Sequence, residues 1–305
     1  MKLAGSLTEK PLLSQREINA LIQAARPSDQ RKGLKIKRGA RAGEFPTSSP
    51  GSGTDLADLR AYHPGDDTRH IDWRASARSR QPVLRTWFSE LNHPFFVVLD
   101  RRAAMRFGTR CRLKVTQAAR LAISLLAREA RSGREVGGLI MDTPCHWVPP
   151  RHGMGAALRL IDLMISAAPP CNPEAAQGIW SKALSELSQR LPEGAELILI
   201  SDFSDLDSQD EFSLRSLGGR LAARAVQIAD PLELSMTLPC PLQLQWGNRQ
   251  LRCQHRDADE LQQYREQEAH YQSLLGERFV RAAIPLMRLT TQQDDLQEIM
   301  ESIST

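Results

Sequence analysis

Aromatic residues make up only 5% of this 305-residue chain, and none falls between Arg31 and Arg41, its most basic stretch. A stacking platform for single-stranded nucleic acid is therefore missing where the charge would need it. Long hydrophobic runs are missing too. The longest, at 95–99 and 197–200, fall far short of the roughly 18 residues of a membrane-spanning helix. The five cysteines, Cys111, Cys145, Cys171, Cys240 and Cys253, are odd in number and widely spaced, with no C-x-x-C pair. That excludes a disulfide scaffold or zinc ribbon and fits a reduced compartment. Near the start, Glu9, Lys10, Arg16 and Glu17 break any apolar leader, so a cytoplasmic protein is expected. The nucleotide-binding G-x-x-x-x-G-K-[ST], the zinc-protease H-E-x-x-H and the hydrolase G-x-S-x-G are all absent, and no Ser/His/Asp or Cys/His set assembles. The expectation is a protein that is not an enzyme.

What is present is an ordinary globular composition, 41% hydrophobic and 25% charged, with the charge unevenly placed. Residues 1–110 hold 20 of the 40 Lys and Arg but only 11 of the 36 Asp and Glu. Arg31, Lys32, Lys35, Lys37, Arg38 and Arg41 concentrate the excess. Such a stretch suits nucleic acid, anionic lipid, an acidic protein face or a solvated linker, and Coulomb attraction alone does not separate these.

The first helix is fully punctuated. Ser14 stands as N-cap, Glu17 as its capping-box partner and Leu13 as a staple onto Ile18, with Pro27 ending the element. This helix is expected to dock on the main core. Gly, Pro and Ser crowd 28–53, as in a linker. From residue 95 short apolar strands alternate with amphipathic helices. The patterns predict strands at 95–99, 136–141, 196–200, 225–229 and 283–289. Helices are predicted over 112–131, 155–167, 174–190, 209–223, 257–275 and 292–303, the third of these capped by Asn172 and the last by Thr291. Strict alternation around Gly247-Asn248 predicts a β-hairpin over 240–254, and weaker alternation a strand within 80–90. The fold class is α/β, a mainly parallel sheet with helices on both faces. Three segments follow: 1–52, an N-terminal helix and basic linker; 53–92, part of a small β subdomain; and 93–305, the core.

Asp100 and the pair Ser201-Asp202 follow core strands, where open α/β sheets gather their functional groups. Such oxygens can hold Mg²⁺, cap the next helices or pair with arginines. Between 60 and 78 lies a dense run of Asp, Arg and aromatics in which Asp66, Asp67 and Asp72 can pair with Arg60, Arg69, Arg74 or Arg78. Interleaved guanidinium groups argue against a metal site at His63 and His70.

That run resembles the bacterial domain-of-unknown-function family 58, whose hallmark reads R-x-Y-x-P-G-D-D-x-R-x-I-D-W-x-x-x-A-R. Arg60, Tyr62, Pro64, Gly65, Asp66, Asp67, Arg69, Ile71, Asp72, Trp73, Ala77 and Arg78 all match. The resemblance continues through Asp100, Phe107-Gly108, Lys114, Ser201-Asp202-Phe203 and 230–234. It implies a von Willebrand factor A-like core carrying a small β subdomain, with the hallmark serving mainly the architecture. It also implies a MoxR-type AAA+ ATPase as partner and an adaptor or co-chaperone role toward an unknown client protein. Proteins of that fold commonly hold a divalent metal through D-x-S-x-S and a Thr from a second loop. Here Arg102 and Ala104 stand at the serine positions, and 149–156 offers no Thr. No cofactor and no Mg²⁺ are therefore expected. Asp100, Ser201 and Asp202 are read as remnants of the metal site, with Arg101 or Arg102 folded between the two aspartates as an internal cation and Arg106 and Arg110 on the rim. The alternative function is nucleic-acid association through 31–41.

Overall fold

A computed structural model describes residues 12–25, 56–62, 71–79, 81–87, 93–109, 111–166, 178–235, 242–246, 249–253 and 258–304. The chain divides into two compact units, residues 30–92 and residues 1–29 with 93–305.

In the smaller unit β1 (Leu56–Ala61) pairs antiparallel with β2 (Val83–Trp87), and α2 (Trp73–Ser79) lies between them in sequence. Hallmark Asp72 starts that helix: its Oδ1 accepts from the Arg74 and Ala75 amides, each at 2.9 Å, while its own N–H donates to the Val83 carbonyl. Ser76 Oγ in turn accepts from the Val83 amide at 2.8 Å.

The larger unit is built on six strands: β3 (Phe95–Asp100), β4 (Glu135–Met141), β5 (His146–His152), β6 (Glu196–Ser201), β7 (Ala222–Ala229) and β10 (Leu286–Thr290). They lie in the order β10-β7-β6-β3-β4-β5, all parallel except β5. Alternate residues of β3 serve opposite faces, as the pleat requires. Phe95, Val97 and Leu99 pack with α1 (Gln15–Ala24), α3 (Lys114–Arg131), α4 (Met154–Ile165) and α9 (Gln297–Ser304). Phe96 and Val98 pack with α5 (Ile179–Arg190), α6 (Glu211–Arg220) and α8 (Ala258–Arg281). A mostly parallel six-stranded sheet flanked by helices bears out the expected fold class and is consistent with a von Willebrand factor A-like, Rossmann-like arrangement. The short helix α7 (Pro231–Ser235) follows β7, and the 240–254 hairpin forms as β8 (Leu242–Trp246) against β9 (Arg249–Cys253).

Several local expectations need correction. Helix α1 has both halves of its capping box, but it is part of the larger unit: Leu13 and Ile18 are buried in the same apolar cluster as α3. Strand β5 carries no sequence signal because Pro149 and Pro150 break the pattern. An antiparallel edge tolerates them, since an edge strand need not donate every amide. Beside it, β4 spends two adjacent positions on glycine for space. A Cβ on Gly137 would meet the Pro150 nitrogen at 2.8 Å, and one on Gly138 a Leu160 methyl at 2.9 Å. The 283–289 strand begins only at Leu286. Thr291 does not cap the last helix, which starts at Gln297 with Asp295 accepting its amide at 2.8 Å. The Asn172 cap lies outside the described residues. Among those residues, no helix is long and apolar enough to cross a membrane.

Candidate functional site

The chain leaves β3 toward β4 on one side and later returns to β6 and β7 on the other. The carboxyl ends of β3 and β6 therefore border the point where strand order reverses. Asp100 ends β3; Ser201 ends β6 and Asp202 follows it. All three are buried.

Arg102 folds back onto Asp100. Its Nε lies 3.0 Å from Oδ1 and its Nη2 2.7 Å from Oδ2, a two-pronged pairing, and its backbone amide also donates to Oδ1. Ser201 Oγ donates to Oδ2 at 2.6 Å and accepts the Phe203 amide. The other side of the guanidinium engages Asp205, through Nη2 at 2.9 Å and a second bond from Nη1. Trp180 holds Asp205 through its indole N–H at 3.0 Å, and the Arg102 guanidinium lies 5.7 Å from the Trp180 ring centre. Burial pushes the Asp100 carboxyl above its ordinary value, with Arg102 pulling the other way. Burial opposes the charge on Arg102, but Asp100 and Asp205 outweigh it and raise its pKa.

The expected internal cation is thus Arg102, but it bridges Asp100 to Asp205, not to Asp202. Asp202 is served by Lys114, only 3% exposed, whose Nζ donates to Asp202 Oδ2 at 2.8 Å and to Glu233 Oε1 at 2.7 Å. Burial alone would lower the Lys114 ammonium; Asp202 and Glu233 reverse that and raise it. Asp202 Oδ1 accepts the amide and hydroxyl of Ser204, each at 3.1 Å. Arg101 goes elsewhere. It pairs with Asp142 at 2.9 Å and donates to the carbonyls of Leu163, Met164 and Ser166, closing the C-terminus of α4. Arg106 donates to the Arg101 carbonyl, and Arg110 lies outside the described residues.

Glu233 also reaches the Asp230 amide with Oε2 at 2.9 Å. Asp230 is fully buried and accepts from Thr109 (N–H and hydroxyl), the Leu232 amide and Thr291 Oγ1 at 2.8 Å. Burial pushes its carboxyl up, but these donors outweigh burial and hold it below the ordinary value. A crevice of about 230 Å³ opens over Lys114, Asp202, Ser204 and Glu233, with Ala104 on its wall and Glu268 and Tyr271 of α8 opposite.

Of the hallmark residues, Asp72 is a helix cap, Trp73 is 71% exposed, Tyr62 is half-buried with its amide donating to Pro82, and Arg78 sits exposed in the last turn of α2. Pro64, Gly65, Asp66, Asp67 and Arg69, and the Arg60 side chain, fall outside the described residues. Sequence reasoning missed Asp205, Trp180 and the Asp230 cluster, and saw Lys114 only as a matching position. A signal for Lys114 existed: a lysine opening a helix sits at the positive end of the helix dipole, which is unfavourable unless acids surround it.

The family described as "Protein of unknown function DUF58" matches residues 58–251, more than half of the chain. Uncharacterized proteins of Mycobacterium bovis and Mycobacterium tuberculosis are 28% identical over 191 residues, 61% of this chain and 58% of theirs. The matched part thus spans little more than half the length of those relatives. Among solved structures, the conserved hypothetical protein BatB from Bacteroides thetaiotaomicron has a TM-score of 0.44 at 11% identity, covering 70% of this chain and 97% of its own. An aerotolerance-related membrane protein from Bacteroides fragilis has a TM-score of 0.44 at 12% identity, covering 70% and 98%. With the family match running from the small unit through β3, β6 and β7 to the hairpin, this chain belongs to the DUF58 family of proteins of unknown function.

Proposed function

We propose that this chain is a non-enzymatic, cytoplasmic interaction protein, an adaptor or co-chaperone-like partner of a MoxR-type AAA+ ATPase, docking through the crevice at the carboxyl ends of β3 and β6. The partner class comes from the family resemblance. The observation that carries the rest is the pairing of Arg102 with Asp100. Its guanidinium and amide, with the Ser201 hydroxyl, take two hydrogen bonds on each Asp100 oxygen. A carboxylate oxygen offers about two such positions, so none remains for a hard cation. Ala104 supplies no hydroxyl, and a fixed guanidinium beside the carboxylate repels Mg²⁺ electrostatically. Among the described residues no cluster of three or more His, Cys, Asp or Glu is placed to hold a metal. The residues therefore do not fit the ion this fold commonly carries, which supports a metal-independent protein contact. The basic 31–41 stretch lies outside the described residues, and no observation favours the nucleic-acid alternative.

The test is capture of the tagged full chain from nuclease-treated lysate of its host, with and without a non-hydrolysable ATP analogue, read by mass spectrometry. Enrichment of an AAA+ ATPase, weakened by Asp202→Asn and insensitive to a chelator, supports the proposal. No ATPase, or capture that a chelator abolishes, overturns it.

A further inference from the structure

The crevice over Lys114 has an unbalanced charge. Three carboxylates line it, Asp202, Glu233 and Glu268, against one ammonium, and that ammonium is already engaged by two of them. Arg288 stands behind this lining, donating to the side chains of Gln227 and Gln272, and even with it the carboxylates remain in excess. Glu268 is half-buried on α8. One of its oxygens accepts from Gln272 Nε2 at 2.7 Å; the other has no partner among the described residues. Burial, followed by the charges of Asp202 and Glu268, pushes the Tyr271 hydroxyl pKa up, as a locally negative field requires. The Tyr271 hydroxyl itself is fixed on the Phe203 carbonyl at 2.8 Å, which holds its ring as part of the wall.

We infer that this crevice receives one arginine side chain projecting from the partner protein. Size excludes larger guests: about 230 Å³ is below the 300–1,000 Å³ of small-molecule and cofactor pockets. Charge excludes acidic ones, because an incoming carboxylate or phosphate would meet three carboxylates across a partly dehydrated space. A guanidinium matches what is offered. Its planar fork can take the open Glu268 oxygen together with the free lone pairs of Glu233 or Asp202, and its flat face can lie on the Tyr271 ring. Ammonium would supply the charge but not the two-pronged geometry. In a metal-bearing relative of this fold an ion in this region would attract an acidic ligand. Here the sign of the recognised group is reversed. The identity of the partner rests on the adaptor reading above; the chemistry of the guest does not.

The experiment uses the isotope-labelled full chain and three small probes: N-acetyl-arginine amide, its neutral isostere N-acetyl-citrulline amide, and N-acetyl-glutamate. The arginine probe should shift the amide resonances of Ser204, Tyr271 and Gln272 saturably, with citrulline at least about tenfold weaker and glutamate inert. Glu268→Lys should remove the shifts while leaving the thermal melt unchanged, and Glu268→Gln should weaken them in part. Equal binding of citrulline, preference for glutamate, or arginine binding that survives Glu268→Lys would overturn the inference. The purified ATPase separates the two claims. If the crevice takes arginine but no ATPase binds the chain, the adaptor reading fails alone. If an ATPase binds and Glu268→Lys leaves its affinity unchanged, the crevice inference fails alone.

Discussion

Replacing Arg102 by Met isolates the role of the internal cation. The substitution keeps most of the apolar stem but removes the guanidinium from Asp100, whose side chain is 1% exposed. An ionised carboxylate left buried with only the Ser201 hydroxyl and the Arg102 amide typically costs about 3–5 kcal/mol. Loss of the Asp205 bond adds little, because that carboxylate is 43% exposed and water replaces the partner. The sign of the pH dependence follows from the same geometry. Burial already raises the Asp100 carboxyl, and without Arg102 it rises further. A carboxylate whose folded pKa lies above its unfolded value is penalised at high pH. The penalty disappears as pH falls toward the unfolded value of about 3.9, where both states are protonated. Urea unfolding followed by circular dichroism at pH 7 and pH 5 should therefore show the variant less stable at both, but closer to wild type at pH 5, with an unchanged m-value. Adding Asp100→Asn should restore most of the loss, because a neutral amide still accepts from Ser201 and no charge remains buried. A cost below about 1 kcal/mol at pH 7, or a double variant as unstable as the single one, would refute the view that Arg102 neutralises Asp100.

Three further predictions follow from the same structure. Arg102→Ser with Ala104→Ser recreates D-x-S-x-S after β3; millimolar Mg²⁺ or Mn²⁺ should then raise the melting temperature, by the equivalent of about 2.7 kcal/mol at a hundredfold excess over Kd, and leave wild type unmoved. A folded variant indifferent to both ions would count against Arg102 standing in for a metal. Thr291→Val removes one donor to Asp230 and should cost about 1.5–3 kcal/mol at neutral pH. Because Asp230 is held below its unfolded value, its stabilisation exists above about pH 3.9 and fades as pH falls through the lower folded value, so the gap from wild type must narrow in acid. In α6, a Cβ on Gly218 would stand 1.9 Å from the Ala282 carbonyl oxygen, whereas one on Gly219 meets nothing within 4 Å. Gly218→Ala should lose about 1–3 kcal/mol and Gly219→Ala gain up to about 1 kcal/mol, compared by urea midpoints.

The parallel strands of the large sheet were legible because each is a short apolar run set between helix-period segments, which can be read locally; β1 of the smaller unit was not predicted. Nor was strand β5: its Pro149-Pro150 removes the local signal, and only its antiparallel place beside β4 makes it a strand. The same division runs through the site. That Asp100 and Asp202 reach the carboxyl edge follows from strand length and position, which are local. Which cation each one meets is not local. Arg101 and Arg102 are adjacent and chemically identical, yet one closes the end of α4 and the other turns to Asp100. Alternation of side chains along extended backbone sends neighbours to opposite sides, so only one of the pair could face β6. Thr291 was misread for a related reason. Its sequence neighbours suit a helix cap, but its hydroxyl is buried against Asp230, and a buried carboxylate claims a donor more strongly than an exposed helix end does.

The two internal cations leave the site in different states, and that difference is the physical content of the proposals. Arg102 faces two carboxylates and saturates the buried one with a geometry that has no open position, so the Asp100 side offers a partner nothing to complete. A metal ion in its place would keep coordination positions open for an incoming acid. Lys114 also faces two carboxylates, but a single ammonium leaves their charge half compensated, and Glu268 adds to the excess at the mouth of the crevice. Recognition built on uncompensated charge at a partly exposed mouth is screened by salt over a Debye length of about 8 Å at physiological ionic strength. Binding through the Lys114 crevice must therefore weaken steadily as salt rises and ignore chelators, whereas a metal-bridged contact would be abolished by chelation.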